Sequence, residues 1–434
     1  MIMKKLISLL LAVIMVVSLA ACQKKEETKE VTLNIWLNSL MPASDELLAE
    51  EDWYINQAIK RYQETHPNVK FEITKLGDGN ETATLFKAAA AAGSAPDICE
   101  FWTGEWMFDV EDYTLDFYDK LSDKTKNDVL GWDTVCRDYN TSNKKIGIPI
   151  AVQTIAGIYY NRDIIKAAGL DFDANPPKTT DELLDACEKI KAAGYTPFLA
   201  DEGERHEMFY YIGNYWWKQQ SGAQTIVAEN KGEAKYVDDQ GLRNVLDFYQ
   251  VLIDNEYINP DCLSASDDRA RFMEGKEGAM TGGSSSRMSS YSEALGDKLG
   301  FMRPGDMDPN GVIQNGLLGG AGQGLIISKD TKYAQECIDF VEFLVSPEEF
   351  KHYREHEPAV IPNLNSITAA DMPDAPDVTK QALGYKQDVT FYADNMVDSD
   401  VMNEVFRLSA NLINHTMTTD DVLAALDEVI ALKK

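Results

Sequence analysis

Aromatic residues cluster at the ends of the strands that the sequence predicts. Trp36 ends an alternating segment, Trp102 and Trp106 follow the strand-like Asp97-Ile98 stretch, and Trp216 lies in an aromatic-rich helix. The face of an aromatic ring packs against the C–H face of a sugar, while neighbouring carboxylates and amides bond its hydroxyls. A single aromatic residue is more often part of a core. As a set at strand ends, where α/β folds collect ligands, these residues indicate a ligand site.

Two short motifs resemble metal sites but are incomplete. His352, Glu355 and His356 match the H-x-x-E-H pattern, in which two histidines one turn apart can share a zinc ion. No third-ligand motif accompanies them. The segment that begins at Asp306 resembles the start of a calcium loop, but its twelfth position is Leu317 rather than glutamate. We therefore expect a surface turn there, and neither a metal nor a cofactor in the protein.

The glycine-rich segment 319–324 does not fit a nucleotide-binding loop. It leads into Leu325-Ile326-Ile327, which predicts a strand, whereas a phosphate-cradling loop opens a helix. The chain also contains no G-x-S-x-G nucleophile motif.

Strands and helices alternate along the chain. Residues 31–36 and 69–76 alternate as strands, and helical stretches follow them around 50–64 and 82–92. A capping box at Thr179-Thr180-Asp181-Glu182 begins another amphipathic helix. This alternation predicts an α/β fold.

The N-terminal segment resembles a bacterial lipoprotein signal. Lys4 and Lys5 precede a dozen apolar residues, 6–17, too few for a comfortable membrane span. Leu19-Ala20-Ala21-Cys22 resembles a lipobox, in which Cys22 is lipidated; an ordinary signal peptide with a chance cysteine and an uncleaved anchor are the alternatives. We expect residues 1–21 to be removed, 22–30 to form a tether, and the protein to lie on the outer face of the cytoplasmic membrane.

Composition limits the class of partner. The chain has 71 acidic and 41 basic residues and a formal charge of −30. Such a charge repels phosphate backbones, so nucleic acid is excluded as a partner. The mature length predicts two or three domains. Beyond Cys22, five widely spaced cysteines argue against a disulfide framework and against a CxxC metal site.

Several segments, in family order, resemble extracellular solute-binding proteins of the carbohydrate ABC-importer class. The clearest is "GIPIAVQTIAGIYYNRDIIKAAGLD", with Pro149 and the Tyr159–Asp163 segment, followed by Pro177-Lys178-Thr179. Further matches are Ala88–Ile98, Arg271–Gly283, Tyr333–Phe350 and Tyr392–Asn395. Together they cover nearly the whole mature chain.

The resemblance implies a two-lobed α/β clamshell of the type II periplasmic-binding-protein kind, with the ligand cleft between the lobes. The first lobe would comprise residues 31–148 and 303–377. The second would comprise 149–302 together with 378–434, which would hold a crossover and the C-terminal helices.

The resemblance also implies ligand-contacting positions. Trp102 would be a stacking residue, Glu105 a hydroxyl acceptor, and Asp394 an acidic partner of sugar hydroxyls. Gln153 would lie on the crossover strand. The complete set of expected ligand-binding residues is Trp36, Asn38, Trp102, Glu105, Gln153, Glu204, Trp216, Ser284, Ser285, Asp394 and Asn395.

One departure from the family concerns the segment after Ala279-Met280-Thr281. Maltose-binding relatives have a tryptophan there, whereas this chain reads Gly282-Gly283-Ser284-Ser285-Ser286. The change removes a stacking surface and argues against a maltodextrin ligand. Ser284 and Ser285 could bond a ligand from a helix N-terminus, or could simply cap that helix.

The implied function is that of a lipid-anchored, monomeric receptor without catalytic activity. It would capture a mono- or oligosaccharide and deliver it to the permease of an ABC transporter, with the lipid anchor as its membrane contact. One alternative is the same fold binding a peptide or small charged solute. Another is a surface glycoside hydrolase, which needs two carboxylates about 5–10 Å apart, one with a raised pKa.

Overall fold

The computed structural model describes residues 29–37, 45, 48–76, 79–139, 143–150, 154–203 and 206–433. The predicted signal segment, including Cys22, lies outside these residues, as do Asn38, Gln153 and Glu204. No helix in these ranges is both long enough and apolar enough to cross a bilayer.

Eleven strands are described. In chain order they are β1 (Val31–Leu37), β2 (Val69–Lys75), β3 (Ile98–Trp102), β4 (Ile148–Pro149), β5 (Thr154–Asn161), β6 (Thr196–Phe198), β7 (Gly278–Ser284), β8 (Leu299–Met302), β9 (Leu317–Gly320), β10 (Gln323–Ile327) and β11 (Val389–Thr390).

Sixteen α-helices are described in the same ranges. In chain order they are α1 (Tyr54–Thr65), α2 (Gly79–Ala91), α3 (Glu105–Phe108), α4 (Asp123–Asp128), α5 (Arg162–Ala167), α6 (Thr180–Ala192), α7 (Asn214–Ser221), α8 (Ala223–Asn230), α9 (Gln240–Asp254), α10 (Asp268–Glu274), α11 (Met288–Leu295), α12 (Ala334–Leu344), α13 (Pro347–His356), α14 (Asp377–Leu383), α15 (Ser399–Ile413) and α16 (Thr419–Lys433).

The first sheet has the strand order β2-β1-β3-β10-β4. Strand β1 is parallel to β2 and β3, and β10 returns antiparallel to β3 and β4. Every second residue of β1 from Val31 to Leu37 is buried, as its alternating sequence predicts. Helices such as α1 and α12 cover this sheet, so the predicted α/β class is confirmed.

The second sheet has the order β11-β9-β5-β7-β6, with β8 also paired to β5. Strand β5 is buried along nearly its whole length, consistent with its continuous apolar sequence "TIAGIYYN". Asn161 at its end accepts hydrogen bonds from Asp163 N (3.0 Å) and Ile164 N (3.4 Å), and so caps α5. Thr179 caps α6 in the same way, as the capping box predicts.

One strand lies in the other sheet from the one that the predicted lobe boundaries imply. The boundary at residue 303 assigns β9 to the first lobe, but β9 pairs antiparallel with β5 of the second sheet, Ile155 opposite Gly319. The reason is that the chain stays beside the second sheet through a turn held by Asp306. The Asp306 carboxylate accepts hydrogen bonds from the Tyr215 hydroxyl (2.6 Å) and Asn315 N (2.9 Å).

The H-x-x-E-H segment ends α13, and both of its histidines lie beside acidic residues. His356 Nδ1 lies 2.5 Å from Asp45 Oδ1, and His352 Nδ1 lies 3.6 Å from Glu355 Oε1. Over the described ranges, no three or more His, Cys, Asp or Glu side chains are grouped to hold a metal ion.

The chain crosses between the sheets at closely packed segments. It passes from β4 to β5 and returns between β9 and β10. Thr103, just after β3, donates from Oγ1 to Ala321 O (2.6 Å) and from N to Gly322 O (3.1 Å), which fixes the return crossing. Gly320 has φ +124°, and a Cβ there would lie 3.2 Å from Phe391 and from Thr134. Glycine is therefore required where these segments meet.

A buried carboxyl group lies away from the crossings, on α8. Glu229 is 1% exposed, and neither of its carboxyl oxygens has a hydrogen-bond partner among the residues described around it. Burial, reinforced by repulsion from Asp239 and Asp427, raises the pKa of Glu229 to about 9. The folded protein therefore holds this proton at neutral pH.

We expect Glu229→Gln to change how stability depends on pH. Between the ordinary pKa and about 9, the folded state keeps a proton that the unfolded state releases, so the parent's free energy of unfolding falls as pH rises. Glutamine removes this loss. The variant should gain on the order of 2–3 kcal/mol over the parent between pH 5 and pH 8, measured by urea unfolding. The exposed neighbour Glu233 gives the control, Glu233→Gln. Parallel pH curves for Glu229→Gln and the parent would contradict the assignment.

Candidate functional site

A cavity of about 370 Å³ lies where the crossings meet both sheets. Trp102 and Gln323 reach it from the first sheet, Thr154 and Ser284 from the second, and Asp394 from the segment after β11. Its described lining is Trp102, Thr103, Trp106, Thr154, Tyr210, Tyr211, Ser284, Gly320, Gly322, Gln323, Phe391, Tyr392, Asp394 and Asn395. We call this cavity the central compartment.

Two further cavities adjoin the central compartment. The first, of about 470 Å³, shares Trp106, Asp394 and Asn395 with it, and Glu105 also lines it; we call it the acidic compartment. The second, of about 740 Å³, shares Tyr210 and Tyr211; we call it the arginine compartment. The three form one continuous cleft, longer than a single sugar ring requires.

The local backbone places two tryptophans on one wall of the central compartment. Strand β3 ends at Trp102, and Gly104 then turns the chain into α3 with φ +77°. A Cβ on Gly104 would lie 3.2 Å from Asn395 O, so the turn passes close to the crossing segment. Trp102 and Trp106 consequently meet edge to face, with ring centroids 5.5 Å apart.

Tyrosines form the facing wall. Tyr210 and Tyr211 lie in a π-helical segment, Phe209–Gly213, immediately before α7. Their rings are perpendicular with centroids 4.9 Å apart, and Tyr210 lies 5.7 Å from Tyr392. A single π-helical turn often occurs at a functional site because it changes which side chains face inward. Here it brings two consecutive tyrosines to the cavity.

Asp394 is the acidic group of the central compartment. It begins a 3-10 turn, Asp394–Met396, and its N–H donates to the buried Asn214 Oδ1 (3.1 Å). Its Oδ1 atom is buried and has no hydrogen-bond partner among the described side chains and backbone. Burial raises the pKa of Asp394 to about 7, against the opposing effects of backbone N–H groups and the Tyr210 hydroxyl. The carboxyl oxygen is thus available to a hydroxyl-bearing ligand.

A buried lysine supports the segment that carries Asp394. Lys218 on α7 is 4% exposed and donates from Nζ to Phe391 O (2.6 Å). Burial lowers the pKa of Lys218 to about 7, and the nearby Asp133 and Asp394 carboxyl groups counteract part of that fall. Lys218 therefore links α7 to the crossing segment and places a cationic group near the Asp394 carboxyl.

The two serines after β7 have different positions. Ser284 lines the central compartment, and its Oγ lies 2.8 Å from Ser286 Oγ. Ser285 Oγ accepts a hydrogen bond from Ile155 N (3.2 Å), so it fixes the start of β5. The structure therefore brings Ser284 to the cavity and gives Ser285 a supporting role.

The remaining expected residues are divided between cleft and core. Trp102, Asp394 and Asn395 meet in the central compartment, and Glu105 lines the acidic compartment. Three others, Asn38, Gln153 and Glu204, lie outside the described residues.

Two predicted aromatic residues do not reach the cleft. Trp216 is fully buried, its Nε1 donates to Gly305 O (2.9 Å), and its ring packs against Phe248; it is a core residue, which corrects its predicted place in the cleft. Trp36 alternates away from the inward residues of β1 and packs against the hydrophobic cluster that contains Phe86.

The sequence reasoning missed the tyrosine wall. Tyr210 and Tyr211 lie only five residues before Trp216, in the aromatic-rich segment that drew attention to that tryptophan. Tyr392 begins the "YADN" segment that contains Asp394. The helical period alone could not select the correct aromatic face, because the π-helical turn shifts it by one residue.

Comparison with known proteins agrees with this architecture. A family model described as "Bacterial extracellular solute-binding protein" matches residues 57–380. The sn-glycerol-3-phosphate-binding periplasmic protein UgpB of Pectobacterium atrosepticum is 26% identical over 314 residues, 68% of this chain and 66% of that protein. The multiple sugar-binding protein of Streptococcus mutans is 24% identical over 182 residues, 42% of this chain and 40% of that protein. The chain thus spans less than two thirds of the length of these curated relatives.

Among solved structures, a chitin oligosaccharide binding protein has a TM-score of 0.70 at 20% identity, covering 93% of this chain and 98% of that one. At this identity the likeness concerns the fold, which extends over nearly the whole molecule. The family match covers about three quarters of the sequence, including both sheets' principal strands. This protein belongs to the family of bacterial extracellular solute-binding proteins.

Proposed function

We propose that this protein is a lipid-anchored receptor that captures a saccharide outside the cytoplasmic membrane and delivers it to the permease of an ABC importer. The observation that carries the proposal is the central compartment, in which aromatic rings and the unpartnered Asp394 Oδ1 face one cavity between two sheets. Aromatic faces suit the C–H faces of sugar rings, and a buried carboxyl oxygen suits their hydroxyls.

Capture would use the crossings as hinges. The chain segments that join the sheets also carry Asp394, Asn395 and Gln323 into the cleft. A ligand held by Trp102 on one side and Tyr210 on the other makes more contacts when the sheets approach. It would therefore shift the population from an open to a closed form, which the permease would recognise.

The names of related proteins support a hydroxyl-rich ligand. One relative is named for sn-glycerol 3-phosphate and another for multiple sugars, and a similar fold is named for a chitin oligosaccharide. A cleft of three adjoining compartments favours a saccharide of more than one ring. The protein would act without catalysis and as a monomer.

A glycoside hydrolase remains testable against this proposal. Glu105 and Asp394 line the same acidic compartment, and Asp394 has a raised pKa, as one hydrolase carboxyl must. Incubation with an oligosaccharide panel, followed by mass spectrometry, tests both functions together. The proposal expects intact saccharide bound to the protein and no cleavage products.

We expect Trp102→Ala to weaken binding of the saccharide found by that mass spectrometry. Loss of a stacking face costs on the order of 2 kcal/mol, about a thirtyfold rise in Kd by calorimetric titration. Trp53→Ala is the matched control: it removes a half-buried tryptophan beside α1, outside the three compartments. It should lower Tm with little change in Kd. Unchanged Kd in Trp102→Ala would place the ligand elsewhere.

We expect Asp394→Asn to weaken binding with little loss of fold, because asparagine keeps the shape of the side chain. A charge-assisted hydrogen bond in a dry cleft contributes about 1.5–3 kcal/mol, so Kd should rise at least tenfold. Melting curves and calorimetry on the same sample separate the two effects. A lower Tm with an unaltered Kd would make Asp394 a structural residue only.

We expect Cys22→Ala to abolish attachment of fatty acid. The Leu19-Ala20-Ala21-Cys22 sequence supplies the thiol that the anchor requires. Metabolic labelling with a fatty-acid probe in a bacterial host should label the parent and not the variant, which should appear in the medium or remain unprocessed. Cys99→Ala, at a buried thiol, is the control. Equal labelling of Cys22→Ala and the parent would rule out this anchor.

A further inference from the structure

The cleft is divided by charge. The acidic compartment is lined by Glu105 and four aspartates, with Lys433 as its one described basic residue. The arginine compartment is lined by Arg269, Arg287 and Arg407, and of the lining residues described there none is acidic. In a chain with a formal charge of −30, three arginines around one cavity depart from the overall composition.

A buried carboxylate holds two of these arginines. Glu207 is fully buried, and its Oε1 accepts hydrogen bonds from Arg269 Nε (2.8 Å), while Arg287 Nη2 lies 2.9 Å from the same oxygen. Glu207 does not line the cavity, so it lies behind the guanidinium groups. Two cations thus share one anion, and the side that faces the cavity remains positive.

Arg287 has little freedom to move. Its guanidinium lies 4.7 Å from the centre of the Tyr211 ring, and its Nη1 donates to Gly282 O (3.0 Å). The side chain is only 8% exposed. Because these contacts fix its orientation before any ligand arrives, a bound anion would require little further ordering of the group.

Arg407 approaches the same cavity from α15. It pairs with Glu404 one turn earlier, Nε to Oε2 at 2.8 Å, and its side chain is 61% exposed. Asn403 and Asn411 line the cavity on the same helix and add neutral donors. His206 also lines it, but burial lowers the pKa of its imidazole, so it adds no charge at neutral pH.

We propose that the arginine compartment binds an acidic group of the ligand, a carboxylate or a phosphate or sulfate ester, while the adjoining part of the ligand stacks in the central compartment. This inference rests on saccharide capture in the cleft and narrows the substrate class to acidic saccharides. The planar guanidinium fork suits the two oxygens of a carboxylate or phosphate. Tyr210 and Tyr211 line both compartments, so one ligand can reach from one to the other.

Local charges are needed for such a ligand because the field of the whole protein opposes it. A net charge of −30 repels anions at long range, and only cations at the site itself can reverse that repulsion. The acidic compartment at the other side of the central compartment should also reject a second acidic group. The ligand is therefore expected to bind in one orientation, with its acidic group at the arginines.

The test compares one set of saccharides with and without their charge. Digests of pectin and glucuronoxylan are divided, and one half is carboxyl-reduced so that each uronate becomes a neutral sugar of the same ring size. The protein is incubated with both halves, and bound species are identified by native mass spectrometry. We expect acidic species to be bound at least tenfold more tightly than their reduced forms, with affinity falling as NaCl is raised.

Two exposed arginines give variants that keep the core intact. Arg269→Gln and Arg407→Gln should each reduce the preference for acidic over reduced saccharides at least fivefold. Arg243→Gln, on α9 and paired with Asp420, is the matched control and should leave the preference unchanged. sn-Glycerol 3-phosphate is the phosphate probe; its binding, if lost in the same two variants, would identify the anion as a phosphate.

The outcomes separate this inference from the proposed function. Preferential binding of carboxyl-reduced or neutral saccharides overturns the acidic group but leaves saccharide capture intact. An acidic preference that survives in both arginine variants also overturns the arginine compartment as its site. If no saccharide from either half or from the neutral panel binds, saccharide capture itself is contradicted.

Discussion

The close packing of the crossing segments is the constraint on which the rest of the structure depends. Thr103 holds the return crossing through Ala321 and Gly322, and Gly104 approaches the backbone of Asn395. The Tyr139 hydroxyl donates to Asn395 O from the first-sheet side. These contacts bring together cleft residues that are hundreds of positions apart in sequence. Each contact uses backbone oxygens, so its geometry depends on the path of the chain more than on the surrounding side chains.

Burial of ionisable groups near the crossings has an energetic cost. Lys218 and Asp394 both have pKa values shifted toward neutrality by loss of water, and each partly offsets the penalty of the other. Such groups contribute little to stability when they are enclosed, and they are costly if one partner is removed. Their retention beside a cavity is more consistent with ligand recognition than with packing. Glu229, which lies away from the cleft, shows the same cost without an evident partner.

The sequence predicted the fold class because strand and helix periods are local properties. The alternation of β1, the capping box of α6 and the apolar run of β5 all appear in the structure as expected. The sheet to which β9 belongs could not be predicted in this way. Its short sequence "LLGG" fits either sheet, and only its long-range pairing with β5 decides between them.

The site was less predictable than the fold for a related reason. Trp102 and Asp394 could be found because each follows a recognisable segment, whereas Trp216 was misplaced by the π-helical turn that precedes it. The arginine compartment gave no local signal at all, since Arg269, Arg287 and Arg407 are separated by loops and lie on different elements. Charge that is distributed in this way becomes visible only once the cavity is formed.

The division of the cleft by charge has a consequence for closure of the two sheets. The described residues of the arginine compartment all come from the second-sheet side of the chain, whereas the acidic compartment includes Glu105 and Asp109 from the first-sheet side. An anion at the arginines would therefore be held by one side before closure. Closure would then bring Trp102 and Trp106 onto the rest of the ligand and would exclude water from the aromatic walls. In this order of events, charge sets where the ligand first binds, and apolar contact, which forms only in the closed state, provides the free energy for closure.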